Sequence, residues 1–264
     1  MAGACFPVVL LPGVLMPASA RYAQLVEALD GRDAWPKDLE LYAAQQPADD
    51  YGIDSEVAGL ERLVDARGAD RFHLYGHSAG GSIALAFAAK HGDRLLSLAL
   101  DEPATDFSAE DQELIAALWA GSLEDLAVPQ RMETFARAQV RPGVELPPLP
   151  SGPPSPGMAA RPAGVAAIER AIAGHQIDYP GLRRFAGPVY FSYGSLSNVR
   201  WEMMASRLAV VFRDMETERY EGLHHLNTSH AAEPERVAAA LGRLWLRAET
   251  DTAERLSVPG RRND

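Results

Sequence analysis

Residues 71–81 read RFHLYGHSAGG, and the rest of the chain is best interpreted around them. A strand-like apolar run ends at a Gly-x-Ser-x-Gly signature, and the alanine-rich residues 82–89 that follow favour a helix. Gly76 and Gly80 leave room for a sharp turn between the strand and the helix. The pattern therefore predicts that Ser78 lies on a strained turn, where its hydroxyl can act as a nucleophile.

The same signature predicts how negative charge on a reacting group would be stabilised. The helix would direct the backbone N–H of Ala79, together with the positive end of its dipole, at a developing oxyanion. His77 lies inside the signature next to Ser78. We interpret it as a structural residue of the turn and not as a base.

Length and composition limit the classes of protein to which the chain can belong. Its 264 residues, 47% of them apolar, suffice for one large α/β domain or for a core with an inserted lid. The net charge of −11 argues against nucleic acid or an anionic membrane as the main partner. We expect a small-molecule substrate instead.

The single cysteine, Cys5, excludes an intramolecular disulfide and favours a reducing compartment, so we expect a cytoplasmic protein. No Cys/His cluster has zinc spacing, and we expect neither a metal nor a cofactor. Residues 6–20 lack a basic n-region and are interrupted by Pro12 and Gly13, so we do not interpret them as a secretory signal.

Short apolar runs alternate with helical patterns over the first hundred residues and again after residue 187. Such runs are typical of strands buried on both faces of a parallel sheet. Four strands and three helices before Pro103 predict a parallel sheet with right-handed crossovers. The predicted strands are residues 7–11, 39–42, 72–75, 95–100, 188–193 and 216–220.

The alternation stops between residues 104 and 187, where helical segments and a proline-rich stretch take over. We interpret 104–187 as a helical lid over Ser78, 1–103 and 188–250 as the core, and 251–264 as a disordered tail. A helix capped by Asp54 and a turn at 179–181 are also predicted. The apolar residues expected to line a substrate pocket are Leu15, Leu118, Trp119, Met132 and Phe135.

With these residues in place, the chain resembles the α/β-hydrolase superfamily from about Val8 to Trp245. It is most similar to serine hydrolases with a helical cap, a group of esterases and carbon–carbon bond hydrolases. The resemblance implies an α/β-hydrolase fold, with a mostly parallel sheet flanked by helices and a helical lid insertion. The leading hairpin common in the family has no room here, so we expect a sheet shortened at its N-terminal edge.

The resemblance also implies the chain order nucleophile, acid, histidine. A serine hydroxyl is a weak nucleophile until a base takes its proton. Residues 221–226 read EGLHHL, just beyond the last predicted strand. The family's Gly-x-x-His spacing implies His225 as the base, with His224 as the alternative.

The acid departs from the usual family pattern, because residues 194–198 after the penultimate strand hold no carboxylate. Some family members place the acid at the end of the strand after the nucleophile, where this chain has Asp101 and Glu102. Neighbouring strand residues point to opposite faces, so only one can orient the histidine. We expect Glu102, because Pro103 biases its backbone toward an extended conformation. Asp101 is the alternative; a third possibility is Glu202 or no carboxylate.

The loop after the first strand supplies a second oxyanion donor in the family, and Pro12-Gly13-Val14 matches it, which implies the N–H of Val14. The resemblance thus implies a serine esterase that cleaves a carboxylic ester, thioester or lactone through an acyl-enzyme. The alternatives are a carbon–carbon bond hydrolase with the same triad and a non-catalytic ligand-binding or regulatory protein on the same scaffold.

Overall fold

The computed structural model describes residues 6–44, 47–105, 128–146 and 161–257. Within them, six parallel strands form one sheet in the order β2-β1-β3-β4-β5-β6. The strands are β1 (Val8–Leu11), β2 (Ala34–Pro36), β3 (Phe72–His77), β4 (Leu95–Asp101), β5 (Val189–Gly194) and β6 (Met215–Tyr220).

Helices of the described residues connect the strands and cover the sheet. The helices before β5 are α1 (Ala18–Arg21), α2 (Ala23–Ala28), α3 (Ile53–Ala66), α4 (Ala79–His91), α5 (Val128–Ala138), α6 (Arg161–Ala173) and α7 (Tyr179–Arg184). After β5 come α8 (Arg200–Val211), α9 (Ser229–Ala232) and α10 (Pro234–Ser257). None of the described helices is both long and apolar enough to cross a bilayer.

Both faces of the sheet are buried at its central strands, as β1 shows, because alternate residues of that strand contribute to different hydrophobic clusters. Val9 and Leu11 join the cluster that includes side chains of α3, α4 and α8. Val8 and Leu10 join the cluster formed with α2 and α10. The parallel α/β architecture expected from the sequence is therefore confirmed.

The prediction of a strand at residues 39–42 is wrong. Residues Glu40–Tyr42 form a 3₁₀ helix, and the edge strand is β2, several residues earlier. The buried carboxylate of Glu56 accepts hydrogen bonds from the backbone N–H groups of Glu40, at 2.9 Å, and Leu41, at 3.0 Å. These two N–H groups are capped by a side chain of α3, which favours the turn over a strand.

Two further local predictions are wrong. Gly52, and not Asp54, is the residue that precedes α3. Residues 179–181, expected as a turn, begin α7, because the Asp178 side chain accepts from the N–H of Gly181 at 2.9 Å and caps the helix.

The predicted lid region contains α5, α6 and α7 within the described residues. Phe135, Val165 and Ile168 of this region join the first hydrophobic cluster, and α7 packs against α4. Leu118 and Trp119, expected in the substrate pocket, lie outside the described residues. A lid role for 104–187 stays a prediction. The tail expected at 251–264 begins as helix, because α10 continues to Ser257.

Candidate active site

Ser78 joins β3 to α4 with a left-handed backbone, at φ 53° and ψ −120°. The turn is tight enough that a Cβ atom on Gly76 would collide with the Gly80 carbonyl, and one on Gly80 with the Leu11 carbonyl. The Ser78 N–H donates to the Asp101 carbonyl at 3.0 Å. The strained turn expected from the signature is therefore present, and neighbouring backbone holds it.

The imidazole of His225 lies between Ser78 and Glu102. His225 Nε2 is 3.0 Å from Ser78 Oγ, and His225 Nδ1 is 2.7 Å from Glu102 Oε2. All three side chains are buried. Because a carboxylate accepts at Nδ1, the proton belongs on Nδ1, which leaves Nε2 free to accept the serine proton.

Glu102 reaches this position through a backbone conformation that differs from the expected one. Its φ is 48°, left-handed and not extended, so the argument from Pro103 is wrong. The Glu102 N–H donates to the Ser192 carbonyl at 3.1 Å, and its Oε1 accepts from the Gly194 N–H at 2.7 Å. The end of β5, where the family acid usually stands, therefore supplies a backbone donor to this carboxylate.

Asp101, the alternative acid, pairs with a different histidine. Its carboxylate is 2.9 Å from His230 Nδ1 and accepts from the hydroxyls of Ser192, at 2.9 Å, and Tyr75, at 3.1 Å. Burial favours a raised pKa for Asp101, but the hydrogen bonds from His230, Ser192 and Tyr75 outweigh it and leave the pKa lowered. Burial also lowers the pKa of His230, against the attraction of Asp101.

The other candidate acid and base residues have other contacts. His224 Nδ1 accepts hydrogen bonds from the N–H groups of Leu226 and Asn227, both at 3.2 Å. The His224 ring therefore stabilises the turn that follows it. Glu202 forms an exposed ion pair with Arg141 at 2.8 Å. Neither contact links the residue to Ser78.

His77 lies between two histidines inside the fold. Its ring centroid is 4.9 Å from those of His225 and His230. Burial, and then the neighbouring His225 and His230, lower the pKa of His77 well below its ordinary value. The ring is therefore neutral, which fits the structural role expected for it.

The two expected oxyanion donors flank the serine turn. Ala79 is the first residue of α4, so its N–H has no partner within the helix. A Cβ atom on Gly13 would lie 3.1 Å from Ser78 Cβ, which shows that the loop containing Val14 runs past the serine. The Val14 carbonyl accepts from the Tyr42 hydroxyl at 2.8 Å and fixes that loop.

The remaining residues expected in a substrate pocket lie against the hydrophobic core. Leu15 and Met132 are partly buried and pack against the first cluster, and Phe135 is 8% exposed within it.

Sequence reasoning missed Trp201, whose indole stacks on the His225 imidazole with centroids 4.4 Å apart and planes 9° apart. No motif could have indicated this contact, because Trp201 is read simply as an apolar residue of a helix.

Comparisons with known proteins agree with this architecture. Residues 7–136, nearly half of the chain, match a family model described as the α/β hydrolase fold. MGS-M2, an α/β hydrolase enzyme from a Medee basin deep-sea metagenome library, superposes with a TM-score of 0.72 at 14% identity and covers 92% of this chain and 90% of that one.

Two curated relatives match over shorter stretches. A protein named carbamate hydrolase RutD from Caulobacter segnis is 33% identical over 33% of this chain and 34% of that protein. Monoacylglycerol lipase abhd6-A from Xenopus laevis is 29% identical over 40% of this chain and 39% of that protein. The matches thus span between a third and two-fifths of these relatives. The match over residues 7–136 and the superposition together show that this chain has the α/β-hydrolase fold.

Proposed function

We propose that the protein is a serine hydrolase that cleaves an ester-like bond of a small molecule, either a carboxylic ester, a thioester or a lactone. The observation that carries the proposal is the hydrogen-bonded chain from Ser78 Oγ through His225 to Glu102, with distances of 3.0 and 2.7 Å. Serine, histidine and carboxylate in this geometry are the parts that acyl transfer requires.

Each group has a defined task in the proposed reaction. Ser78 Oγ attacks the carbonyl carbon and its proton passes to His225 Nε2, while Glu102 holds the ring and stabilises the imidazolium. The N–H groups of Ala79 and Val14 would stabilise the oxyanion. Collapse of this intermediate breaks the ester bond, and the leaving oxygen or sulfur takes the proton from His225. Water then repeats the sequence, releasing the acid and restoring Ser78.

The names of the curated relatives support this class of reaction. A carbamate hydrolase and a monoacylglycerol lipase both cleave a bond between a carbonyl carbon and a heteroatom. Because only short parts of those proteins match, their particular substrates are not carried over to this chain.

A fluorophosphonate probe and 4-nitrophenyl esters of two, four and eight carbons test the proposal. We expect the wild-type protein to be labelled and to turn over at least one ester, and Ser78→Ala to do neither. Ser82→Ala is the matched control, because Ser82 is buried one turn further along α4. It is expected to keep both activities. Absence of Ser78-dependent labelling and turnover would instead indicate a ligand-binding protein on this scaffold.

A further inference from the structure

The His225 imidazole is held at two edges by hydrogen bonds and contacts two aromatic rings, that of His77, tilted by 33° at 4.9 Å, and that of Trp201, which is stacked on it. Its Nδ1 and Nε2 contacts to Glu102 and Ser78 lie on opposite sides of the ring. Two such bonds define an axis, and the imidazole can turn about that axis without losing either one. The indole of Trp201, parallel within 9° at 4.4 Å, opposes this rotation.

Trp201 is itself fixed from three directions. It is fully buried, and its Nε1–H donates to the Pro103 carbonyl at 2.9 Å. The guanidinium of Arg200 also lies over the indole, 4.2 Å from its ring centroid. Arg200 in turn donates to the Gln139 side chain at 2.7 Å. These contacts hold the indole in a fixed position, and the His225 imidazole stacks against it.

The hydrogen bond to the Pro103 carbonyl also links the Trp201 indole to the backbone beside Glu102. Pro103 directly follows Glu102 in the chain. One side chain thus touches the imidazole and the backbone that carries its carboxylate partner. A change in the indole position would move both members of the pair relative to Ser78.

We infer that Trp201 is a positioning residue that sets the plane of His225 for proton transfer from Ser78. The inference rests on the proposed function, because it assigns Trp201 a part in that reaction. Trp201 acts through His225 and not on the substrate, so its loss should lower kcat and leave KM nearly unchanged.

The chain offers a matched control in Trp245. This indole is also buried and lies against a histidine, His73, with centroids 5.4 Å apart. His73 pairs with Ser97 and Glu249. Replacing Trp245 therefore removes the same volume and a similar contact in the second hydrophobic cluster, away from Ser78.

The experiment compares Trp201→Leu, Trp201→Phe, Trp245→Leu and Trp245→Phe with wild type. It measures kcat and KM on a 4-nitrophenyl ester, the rate of fluorophosphonate labelling, and the urea midpoint of unfolding. We expect Trp201→Leu to lower kcat and the labelling rate about 10- to 100-fold, with KM within about twofold of wild type. Trp201→Phe, which keeps an aromatic face, should recover most of the loss. Both Trp245 variants should lower the midpoint and leave kcat unchanged.

A folded Trp201→Leu with wild-type kcat would overturn the inference, as would an equal loss of kcat in both leucine variants. A wild-type protein without Ser78-dependent turnover would contradict the proposed function, and this result is distinguishable from a failure of the Trp201 inference. Positioning is then read from the NMR signals of the His225 ring, assigned with His225→Asn. One set of signals in wild type and Trp201→Phe but several in Trp201→Leu supports positioning; one set in all three contradicts it.

Discussion

Two carboxylate–histidine pairs lie side by side at the carboxyl ends of the strands. They are formed by consecutive residues, Asp101 with His230 at 2.9 Å and Glu102 with His225 at 2.7 Å. In both pairs the carboxylate meets Nδ1, and both pairs are buried. They differ in what the second ring nitrogen faces, because His225 Nε2 meets the Ser78 hydroxyl and His230 Nε2 meets the Thr228 hydroxyl, each at 3.0 Å.

A buried carboxylate–histidine pair beside a hydroxyl therefore does not by itself distinguish Ser78 from Thr228 as the candidate nucleophile. Ser78 lies on a strained turn at the start of α4, with two candidate oxyanion donors beside it. Thr228 precedes α9, and its histidine partner also contacts the Tyr75 hydroxyl at 3.0 Å. The Asp101 pair thus ties β3, β4, β5 and α9 together, and we expect its loss to be felt mainly as a loss of stability.

The largest effect should come from breaking the Glu102 pair. Glu102→Gln keeps the side-chain volume but presents an amide N–H group or a neutral oxygen to His225, which removes the charge that stabilises the imidazolium. We expect kcat to fall by about 10³- to 10⁴-fold, measured as steady-state turnover of a 4-nitrophenyl ester. The unfolding midpoint serves as the control for folding. A fall of less than tenfold in folded protein would remove Glu102 from the proposed triad.

The counterpart change, Asp101→Asn, should have the opposite profile. It leaves His230 and the hydroxyls of Ser192 and Tyr75 around a neutral amide in a buried site. We expect the free energy of unfolding in urea to fall by about 3–5 kcal/mol, with kcat of the folded protein within about tenfold of wild type. Equal catalytic losses in Asp101→Asn and Glu102→Gln would contradict the division between the pairs.

The buried histidines predict a loss of stability in mild acid. The pKa values of His77 and His230 are lowered in the folded protein, chiefly by burial, so between pH 7.5 and 5.5 the unfolded chain binds more protons than the folded one. Stability therefore falls as the pH drops through the unfolded histidine pKa of about 6.5. Each histidine contributes up to about 1.4 kcal/mol over this interval.

Urea unfolding at pH 7.5 and 5.5 measures this effect. A His77→Phe variant should show a smaller difference between the two pH values than wild type, because it removes one of the buried histidine rings whose pKa is lowered. An unchanged difference would mean that His77 takes up no extra proton on unfolding. The lowered pKa of Asp101 adds a further loss only when the pH falls below the ordinary aspartate range, since that carboxylate must then be protonated.

The smallest effect should follow from Ser192→Ala. This change removes one donor from Asp101, at 2.9 Å, and leaves His230 and the Tyr75 hydroxyl in place. We expect the free energy of unfolding to fall by about 1 kcal/mol and kcat to stay at the wild-type value. A tenfold fall in kcat would show that the Asp101–His230 pair affects the reactivity of Ser78.

The sequence predicted the parts of the fold that depend on local pattern. Buried apolar runs correctly indicate the four strands β1, β3, β4 and β5, and the glycines around Ser78 indicate the turn. Strand β2 has only three residues, all partly exposed, so no periodic pattern could reveal it. The local pattern at 39–42 predicts the wrong structure because the conformation of this segment depends on Glu56, a residue of another element.

The candidate site was predictable to a similar extent. Ser78, His225 and Glu102 were identified from a motif and from the order implied by a family resemblance, and the structure brings them within hydrogen-bonding distance. Pro103 does not predict the left-handed backbone of Glu102, whose N–H donates to the Ser192 carbonyl and whose carboxylate accepts from the Gly194 N–H, both in β5. The Trp201 stack depends on how α8 packs, which no local pattern encodes.

The location of Glu102 also limits how the specificity of this scaffold could be re-engineered. Glu102 directly follows β4, and the chain enters the 104–187 segment two residues later, where the Ala104 N–H donates to the Ser78 carbonyl at 3.0 Å. A foreign insertion grafted for a new substrate therefore needs its upstream splice after Ala104. Gln139, which accepts a hydrogen bond from the Arg200 guanidinium that lies over the Trp201 indole, would have to be kept or replaced by an equivalent acceptor. In a chimera of this kind, the choice of junction would decide the reaction rate as much as the choice of binding surface.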